Sequence, residues 1–206
     1  MHRSQRTGAA TWATMRSSHS LPVVTAAPSA LDSSVIAGSA ALTPANVNAA
    51  GQIVAAGTMD ELAAFAADPP AGARLRPLAV AGAFHTRHME PAVAELAAAT
   101  ADMPVQDPAL PLLSNRDGAV VASGADWIDR IVNQVSAPVR WDKCMATMAG
   151  LGITALIELP PAGTLTGLAR RALPGVQLLA LKTPDDLAAA RQLIAEHGPG
   201  GAGSSQ

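Results

Sequence analysis

Apolar runs alternate with helical patterns in the last third of the sequence, and this alternation constrains the fold more than any other feature. Residues 153–159 form a mostly apolar run, which is typical of a buried strand. A helix is predicted over 164–172, a strand over 177–180 and a final helix over 184–196. Because strands that alternate with helices favour layered packing, we expect an α/β fold with a largely parallel sheet.

The segment before residue 70 predicts a strand followed by a short helix. Glycines bound a strand over residues 52–56, and residues 45–51 indicate a turn that leads into it. Thr58 precedes Glu61 by three residues, which is the spacing of a capping box. A helix should therefore begin after Thr58 and end near Ala67, ahead of two prolines.

The remaining elements follow from the same two periodicities. Predicted strands cover residues 74–80, 110–113 and 119–121, the last after a hairpin-type turn at Asp117-Gly118, and predicted helices cover 90–101, 126–132 and 141–150.

Composition and charge exclude several classes of protein. Hydrophobic residues make up 49% and charged residues 15% of the 206, as in a globular domain rather than a disordered chain. The formal net charge of −2 offers no basic field for nucleic acid. A single cysteine, Cys144, excludes an intramolecular disulfide and a cysteine-based metal cluster, and we expect a reducing cytoplasm. No apolar run approaches the roughly 20 residues that span a bilayer, so no membrane partner is expected.

Both ends of the chain differ from the rest. Residues 1–41 are basic and rich in Ser and Thr, with no acidic residue before Asp32. An organelle transit peptide has this composition, but the segment lacks an amphipathic Arg/Leu face, so we expect a disordered tail or a misplaced translation start. Residues 197–206 are expected to be a flexible tail.

His85 is the best candidate for chemistry. It lies in a predicted loop between a strand and the start of a helix, where side chains can point into a cleft and where Gly82 allows close backbone approach. An imidazole there can act as a general base toward a hydroxyl or thiol. Judged by chemistry alone, an ordinary capping or solvent-facing histidine is the preferred interpretation of this position.

Other side chains in the same region leave two alternatives open. His85, His88 and Glu90 suggest a metal-dependent hydrolase, but helical zinc pairs are usually four residues apart, so no metal site is expected. Arg87 and Arg140 can each clamp a carboxylate, although Arg140 suits the anchoring of a helix start. No Gly-x-Ser-x-Gly pattern occurs in the sequence, so no serine stands out as an activated nucleophile.

Five segments, taken in order, resemble the malonyl-CoA:acyl carrier protein transacylase family over about residues 42–194. They are Ala45-Asn46-Val47-Asn48-Ala49-Ala50-Gly51-Gln52, Gly82-Ala83-Phe84-His85-Thr86, Leu113-Ser114-Asn115, Gln134-Val135-Ser136-Ala137-Pro138-Val139-Arg140-Trp141, and Glu158-Leu159-Pro160-Pro161-Ala162-Gly163-Thr164-Leu165-Thr166-Gly167-Leu168.

The resemblance implies malonyl transfer from coenzyme A to acyl carrier protein through a malonyl-serine intermediate, without metal or redox cofactor. His85 matches the family's catalytic histidine, and Gln134 matches a glutamine whose backbone carbonyl orients that imidazole. Phe84 resembles members that prefer malonyl over methylmalonyl units. Asn48 and Gln52 match a motif that lines the far side of the substrate pocket.

The resemblance also implies a division of the chain. Residues 42–80 match a remnant of a small ferredoxin-like subdomain, and residues 81–196 match the C-terminal part of a hydrolase-like large subdomain with a parallel sheet. The family's serine elbow, oxyanion segment and carboxylate-binding arginine have no counterpart in the 206 residues. We therefore expect a truncated or mis-started enzyme that is inactive alone, with a non-catalytic carrier-protein-binding fragment as the alternative.

Overall fold

The computed structural model describes residues 19–25, 36, 42–78 and 82–198. Contacts between Cα atoms divide the chain into two compact units, one ending at Asp142 and the other beginning at Lys143. The described strands, in chain order, are β1 (His19–Thr25), β2 (Thr43–Ala49), β3 (Gln52–Thr58), β4 (Arg74–Leu78), β5 (Leu112–Leu113), β6 (Val120–Val121), β7 (Val139–Arg140), β8 (Ala155–Glu158) and β9 (Gln177–Ala180). The α-helices are α1 (Met59–Ala67), α2 (Glu90–Thr100), α3 (Gly124–Gln134), α4 (Trp141–Gly150), α5 (Thr164–Ala172) and α6 (Leu187–His197), with 3₁₀-helices at Arg87–Met89 and Pro184–Asp186.

The predicted α/β class is confirmed, but the sheets are mixed rather than largely parallel. The first unit contains a five-stranded sheet of order β4-β1-β3-β2-β7, in which only β2 and β7 pair in parallel. The pair β5–β6 is antiparallel, and β8–β9 in the second unit is parallel. The expectation of a largely parallel sheet is therefore wrong for the described strands. One cause is the two-residue turn between β2 and β3, where Gly51 has a φ of 73°, because so short a connection permits only antiparallel pairing.

Strand β2 occupies most of the segment that the sequence predicted as a turn. It is hydrogen-bonded to β3 on one side and to β7 on the other. Its register with β3 shifts between Pro44 and Asn46 and again between Val47 and Ala49. Asparagine and proline disfavour strands, so local propensity pointed to a turn, and pairing on both edges overrides that propensity.

Strand β3 forms the centre of the first unit because both of its faces are buried. Ile53 and Ala55 pack in one cluster with Leu62 and Phe65 of α1. Val54 and Ala56, which alternate with them and so point to the opposite face, pack in a second cluster with Ala45 and Ala83. Through Ala83 this second cluster anchors the loop that carries Phe84 and His85.

The capping box predicted before α1 is confirmed. The Thr58 side chain accepts a hydrogen bond from the Glu61 backbone nitrogen at 3.3 Å, and the Thr58 backbone nitrogen donates to Glu61 Oε2 at 2.6 Å. That backbone donor lowers the pKa of the Glu61 carboxyl. A Cβ atom at Gly57 would lie only 2.7 Å from the same carboxylate oxygen, so glycine makes room for the cap.

Several predicted bounds are confirmed and others are corrected. Helices α4 and α5 and strand β9 have the predicted limits, and the last predicted helix divides into a 3₁₀ turn and α6. The predicted strand over 74–80 is described to residue 78, and its last two residues lie outside the described part. The tail predicted over 1–41 is corrected at residues 19–25, which form β1 between β3 and β4. Apart from residue 36, the rest of that tail is outside the described residues, as is 199–206.

The two subdomains expected from the resemblance, with a boundary between residues 80 and 81, remain a prediction. In the described part of the chain, every helix is too short or too polar to cross a lipid bilayer.

Candidate active site

His85 has an unusual backbone conformation. Its φ is 65°, and among the described residues it is the only one other than glycine with a positive φ. A side chain in this left-handed region costs about 1 kcal/mol or more, so the surrounding contacts must hold it there. The loop containing His85 begins after Ala83, which is 2% exposed, and leads into the Arg87–Met89 3₁₀-helix.

The His85 ring is oriented by a residue that is 49 positions away in the sequence. Its Nδ1 atom lies 2.8 Å from the backbone carbonyl oxygen of Gln134. A carbonyl oxygen can only accept, so Nδ1 must carry the proton in this bond. In the neutral ring the lone pair is therefore on Nε2, the atom left to accept a proton from another group.

Gln134 can receive this bond because it is the last residue of α3. The carbonyl groups in the last turn of a helix have no partner within the helix. Two of them face His85: the Gln134 oxygen accepts from Nδ1, and the Val135 oxygen accepts from the His85 backbone nitrogen at 2.9 Å. The Gln134 side chain reinforces the turn that follows, since its Nε2 donates to Ala137 O at 2.8 Å and to Pro138 O at 2.9 Å.

The other predicted substrate residues lie in three segments of the same unit. Phe84 precedes His85 in the loop and is 38% exposed. Asn48 is at the second irregularity of β2, and Gln52 begins β3 with its Oε1 buried and without a hydrogen-bond partner in the described part of the chain. Neither side chain bonds to the His85 ring among the described residues. The structure thus joins His85 to Gln134, and contact of Phe84, Asn48 and Gln52 with substrate stays a prediction.

Gly82 faces no close contact within the described part of the chain. A Cβ atom there would meet its nearest neighbour, the ring of Phe84, at 3.6 Å, which is an ordinary van der Waals distance. A role of Gly82 in close backbone approach at the cleft stays a prediction.

Metal binding by this loop finds no support in the geometry. In the described ranges no group of three or more His, Cys, Asp or Glu side chains is arranged to hold a metal ion, so His85, His88 and Glu90 do not form a ligand set. This arrangement counts against a metal-dependent hydrolase.

Arg140 anchors the start of α4, as predicted, rather than offering a free carboxylate clamp. Its guanidinium donates two hydrogen bonds to Asp142, at 2.9 and 2.7 Å, and this carboxylate raises the pKa of Arg140. Two of the five guanidinium donors of Arg140 are thus bound to a residue of its own unit.

Glu158 in the second unit was not predicted as an important side chain. The backbone N–H groups at the start of α5 bind an anion, which is the chain's own Glu158 carboxylate. An acidic residue at the end of a strand, a few residues before a helix start, is the sequence signal for such a contact.

Thr86 is the other residue that sequence reasoning missed. Its side chain is fully buried and bonds to the backbone on both sides of His85. A threonine directly before the 3₁₀-helix is the available sequence signal, since threonine is a frequent N-cap.

Comparison with known proteins identifies relatives for most of the chain. The malonyl CoA-acyl carrier protein transacylase of Mycobacterium tuberculosis (strain ATCC 25618 / H37Rv) is 56% identical over 146 residues, which are 71% of this chain and 48% of the relative. The protein of the same name from Mycolicibacterium smegmatis is 50% identical over 156 residues, 74% of this chain and 54% of the relative. No family model matches the chain.

Solved structures give the same result. The crystal structure of MCAT from Mycobacterium tuberculosis superposes with a TM-score of 0.78 at 47% identity, covering 86% of this chain and 58% of that one. A type II PKS acyl-carrier protein in complex with its malonyl-transacylase has a TM-score of 0.75 at 25% identity, covering 86% and 59%. The chain spans about half the length of the curated relatives it matches. The chain belongs to the malonyl-CoA:acyl carrier protein transacylase family and corresponds to its C-terminal portion.

Proposed function

We propose that this chain is the histidine-bearing portion of an enzyme that transfers malonyl from malonyl-CoA to acyl carrier protein through a malonyl-serine intermediate. The observation that carries the proposal is the His85–Gln134 bond of 2.8 Å, which holds a protonated Nδ1 and leaves Nε2 as the base. Family membership supplies the reaction in which a histidine base of this kind acts.

In the proposed mechanism, Nε2 of His85 removes the proton from a serine hydroxyl as its oxygen attacks the malonyl thioester. The Gln134 carbonyl keeps the ring in the correct tautomer and stabilises the imidazolium that forms, which is the task of the aspartate in other triads. The same imidazolium returns the proton to the coenzyme A thiolate that leaves. In the second half-reaction His85 takes the proton of the carrier protein's phosphopantetheine thiol as its sulfur attacks the malonyl-serine ester, and the imidazolium returns that proton to the serine oxygen that leaves.

We propose that the attacking serine comes from polypeptide beyond these 206 residues. No Gly-x-Ser-x-Gly pattern occurs in the sequence, and the chain matches about half of its curated relatives. On this view the chain alone does not transfer malonyl, because the nucleophile and the oxyanion donors of the proposed reaction act together with the base.

The roles of the neighbouring residues are part of the same proposal. Phe84 lies beside the base and is exposed enough to contact an acyl group, where its ring would leave less room for a methylmalonyl unit. Asn48 and Gln52 are proposed to line the far side of the pocket, and the buried, unbonded Oε1 of Gln52 is the atom available to accept a hydrogen bond there. We place the enzyme in the reducing cytoplasm, which agrees with a single, buried Cys144.

A chimaera tests the proposal directly. The matching segment of this chain would replace its counterpart in the Mycobacterium tuberculosis relative, which provides the remaining half of the fold. We expect the chimaera to become covalently loaded by radiolabelled malonyl-CoA, and His85→Ala to slow loading by about 10²- to 10⁴-fold. Gln192→Ala, at an exposed position of α6 within that segment, is the control and should load normally. Unchanged loading after His85→Ala would show that His85 is not the base.

The alternative is a carrier-protein-binding fragment without catalysis. It is favoured by the family member solved in complex with an acyl carrier protein, a chain that this one covers in part. A titration of the purified chain with acyl carrier protein, monitored by calorimetry, helps to distinguish this fragment from the proposed enzyme portion. Saturable binding by a chain that gives an inactive chimaera would support the fragment over the enzyme.

A further inference from the structure

We propose that Thr86 is a positioning residue that holds His85 in its left-handed conformation and thereby fixes the tautomer of its ring. The inference rests on the proposed function, in which His85 is the base. It goes beyond that function by assigning a task to a buried hydroxyl that touches neither substrate nor the reacting atoms.

The Thr86 hydroxyl connects the two sides of the His85 loop. It donates to the Ala83 carbonyl oxygen at 2.7 Å and accepts from the His88 backbone nitrogen at 3.3 Å. Thr86 is 0% exposed and its bond to Ala83 is buried, so water does not compete for that bond, while the longer bond from His88 is partly buried. One oxygen atom thus ties the residue two positions before His85 to the residue three positions after it.

This tie holds the conformation that the ring requires. A residue with a φ of 65° gains stability by returning to a negative φ, and that rotation would carry the imidazole away from the Gln134 oxygen. Two contacts resist the rotation. The Val135 carbonyl accepts the His85 backbone N–H from outside the loop, and the Thr86 hydroxyl closes the loop from inside.

The loop is also fixed to the core at the point where Thr86 binds it. Ala83 is 2% exposed and packs with Val54 and Ala56 on the second face of β3. The Ala83 carbonyl oxygen accepts the hydrogen bond from the Thr86 hydroxyl. The left-handed turn is therefore held against β3, the most buried strand of the first unit. The position of the His85 ring is therefore set at one side by β3 and at the other by the end of α3.

Nitrogen-15 NMR of the histidine rings in the 206-residue chain tests the proposal without any requirement for malonyl transfer. In the wild-type chain at a pH where His85 is neutral, we expect the Nδ1–H tautomer that the Gln134 bond demands. Thr86→Val keeps the shape of the side chain but removes the hydroxyl, and we expect the ratio of the Nε2–H to the Nδ1–H tautomer to rise about fivefold. Thr86→Ser keeps the hydroxyl and should retain the wild-type ratio.

Thr100→Val is the matched control. Thr100 is also a threonine whose hydroxyl donates to backbone carbonyl oxygens, those of Leu96 and Ala97, but it lies at the end of α2. We expect its loss to lower stability without changing the His85 tautomer. A wild-type tautomer ratio in folded Thr86→Val would overturn the proposal. So would a Thr86→Ser chain that behaves like Thr86→Val, because the methyl group rather than the hydroxyl would then be responsible.

If Thr86→Val unfolds the chain, the test depends on Thr86→Ser. The proposal then requires the Thr86→Ser chain to fold and to show the wild-type tautomer ratio. Failure of the proposed function has a different signature. In that case His85→Ala leaves malonyl loading of the chimaera unchanged, whatever the tautomer ratios are.

Discussion

The Oε2 atom of Glu158 lies 2.8 Å from the backbone nitrogen of Thr166, in the first turn of α5. Two more backbone donors complete the contact, Gly163 to Oε2 and Leu165 to Oε1, each at 2.9 Å. These N–H groups have no partner within the helix, and the positive end of the helix dipole points at the same carboxylate. The end of β8 and the start of α5 are thus joined by one buried side chain, which is 6% exposed.

This contact makes the second unit sensitive to acid. Burial raises the pKa of Glu158, but the backbone N–H donors of Thr166, Leu165 and Gly163 outweigh it and lower the pKa from 4.5 to about 2. Because the folded pKa is depressed, the stabilisation is complete above about pH 4.5 and is lost as the pH falls toward 2. The shift corresponds to about 3 kcal/mol at most.

The replacement Glu158→Gln measures the same contact. We expect it to lower the free energy of unfolding by about 2 kcal/mol at pH 7, because a neutral amide accepts more weakly and adds a donor where donors already converge. The difference from wild type should shrink toward pH 2.5, as followed by urea denaturation. Glu95→Gln, at an exposed position of α2, is the control and should change stability little at either pH. A Glu158→Gln difference that did not depend on pH would contradict the account.

The Gln134 side chain should matter to catalysis although only its backbone faces His85. Gln134→Ala removes the two bonds to the Ala137 and Pro138 carbonyl oxygens and loosens the turn after α3. In the active chimaera we expect kcat to fall about tenfold or more with KM nearly unchanged, because the base is misplaced while the substrate pocket remains. Steady-state kinetics would check this. A rise in KM alone would indicate instead that Gln134 binds substrate.

Arg130 should contribute more to stability than its neighbour Arg116. Its guanidinium bonds to Asp126 at 2.8 Å and to Asp117 at 2.9 Å, and the side chain is 11% exposed. The Arg116 pairs are longer, with a nitrogen–oxygen distance of 3.8 Å to Asp117 and 3.7 Å to Asp129, and its side chain is 40% exposed. Arg130→Met should lower the free energy of unfolding by about 2 kcal/mol, and Arg116→Met by less than about 0.5 kcal/mol. Chemical denaturation of both variants would show whether burial sets the difference, and equal losses would contradict it.

Two helical glycines should respond in opposite directions to alanine. A Cβ atom at Gly124, the first residue of α3, would collide with the backbone oxygen of Gln106, so the backbone has to move. A Cβ atom at Gly167, within α5, would meet nothing within 4 Å. Gly124→Ala should therefore destabilise the chain by about 2 kcal/mol, and Gly167→Ala should stabilise it by about 0.5 to 1 kcal/mol. Thermal unfolding of the two variants provides the test, and a loss of stability in Gly167→Ala would contradict the expected gain.

Elements that depend on local signals were predictable from the sequence. Helix α1 follows from Thr58 and Glu61, because a capping box forms between residues three positions apart. The limits of α4 and α5 follow in the same way from helical periodicity and from the glycines and prolines around them. For these elements the interacting residues are neighbours in the chain, so the sequence contains the whole contact.

The partners of strands β1 and β2 were not predictable, although the hairpin-type turn at Asp117-Gly118 correctly indicated the antiparallel pairing of β5 with β6. Strand β2 has asparagine and proline where a turn was expected, and it exists because β3 and β7 bond to its two edges. Strand β1 lies in a segment expected to be unstructured, and it is paired on both sides. Pairing energy comes from residues distant in sequence, and a local pattern does not contain it.

The same distinction applies to the candidate site. Sequence alone placed His85 in a loop before a helix, and the resemblance implied that the Gln134 carbonyl orients its ring, but neither showed the left-handed backbone or which ring nitrogen makes the bond. The Thr86 and Glu158 contacts likewise depend on how strand ends and helix ends meet. The sequence by itself determined which residue types were available for chemistry and where most helices run. Only the tertiary structure decided that Nδ1 is the ring nitrogen that meets the Gln134 carbonyl, because that hydrogen bond exists only when α3 and the His85 loop pack in one unit.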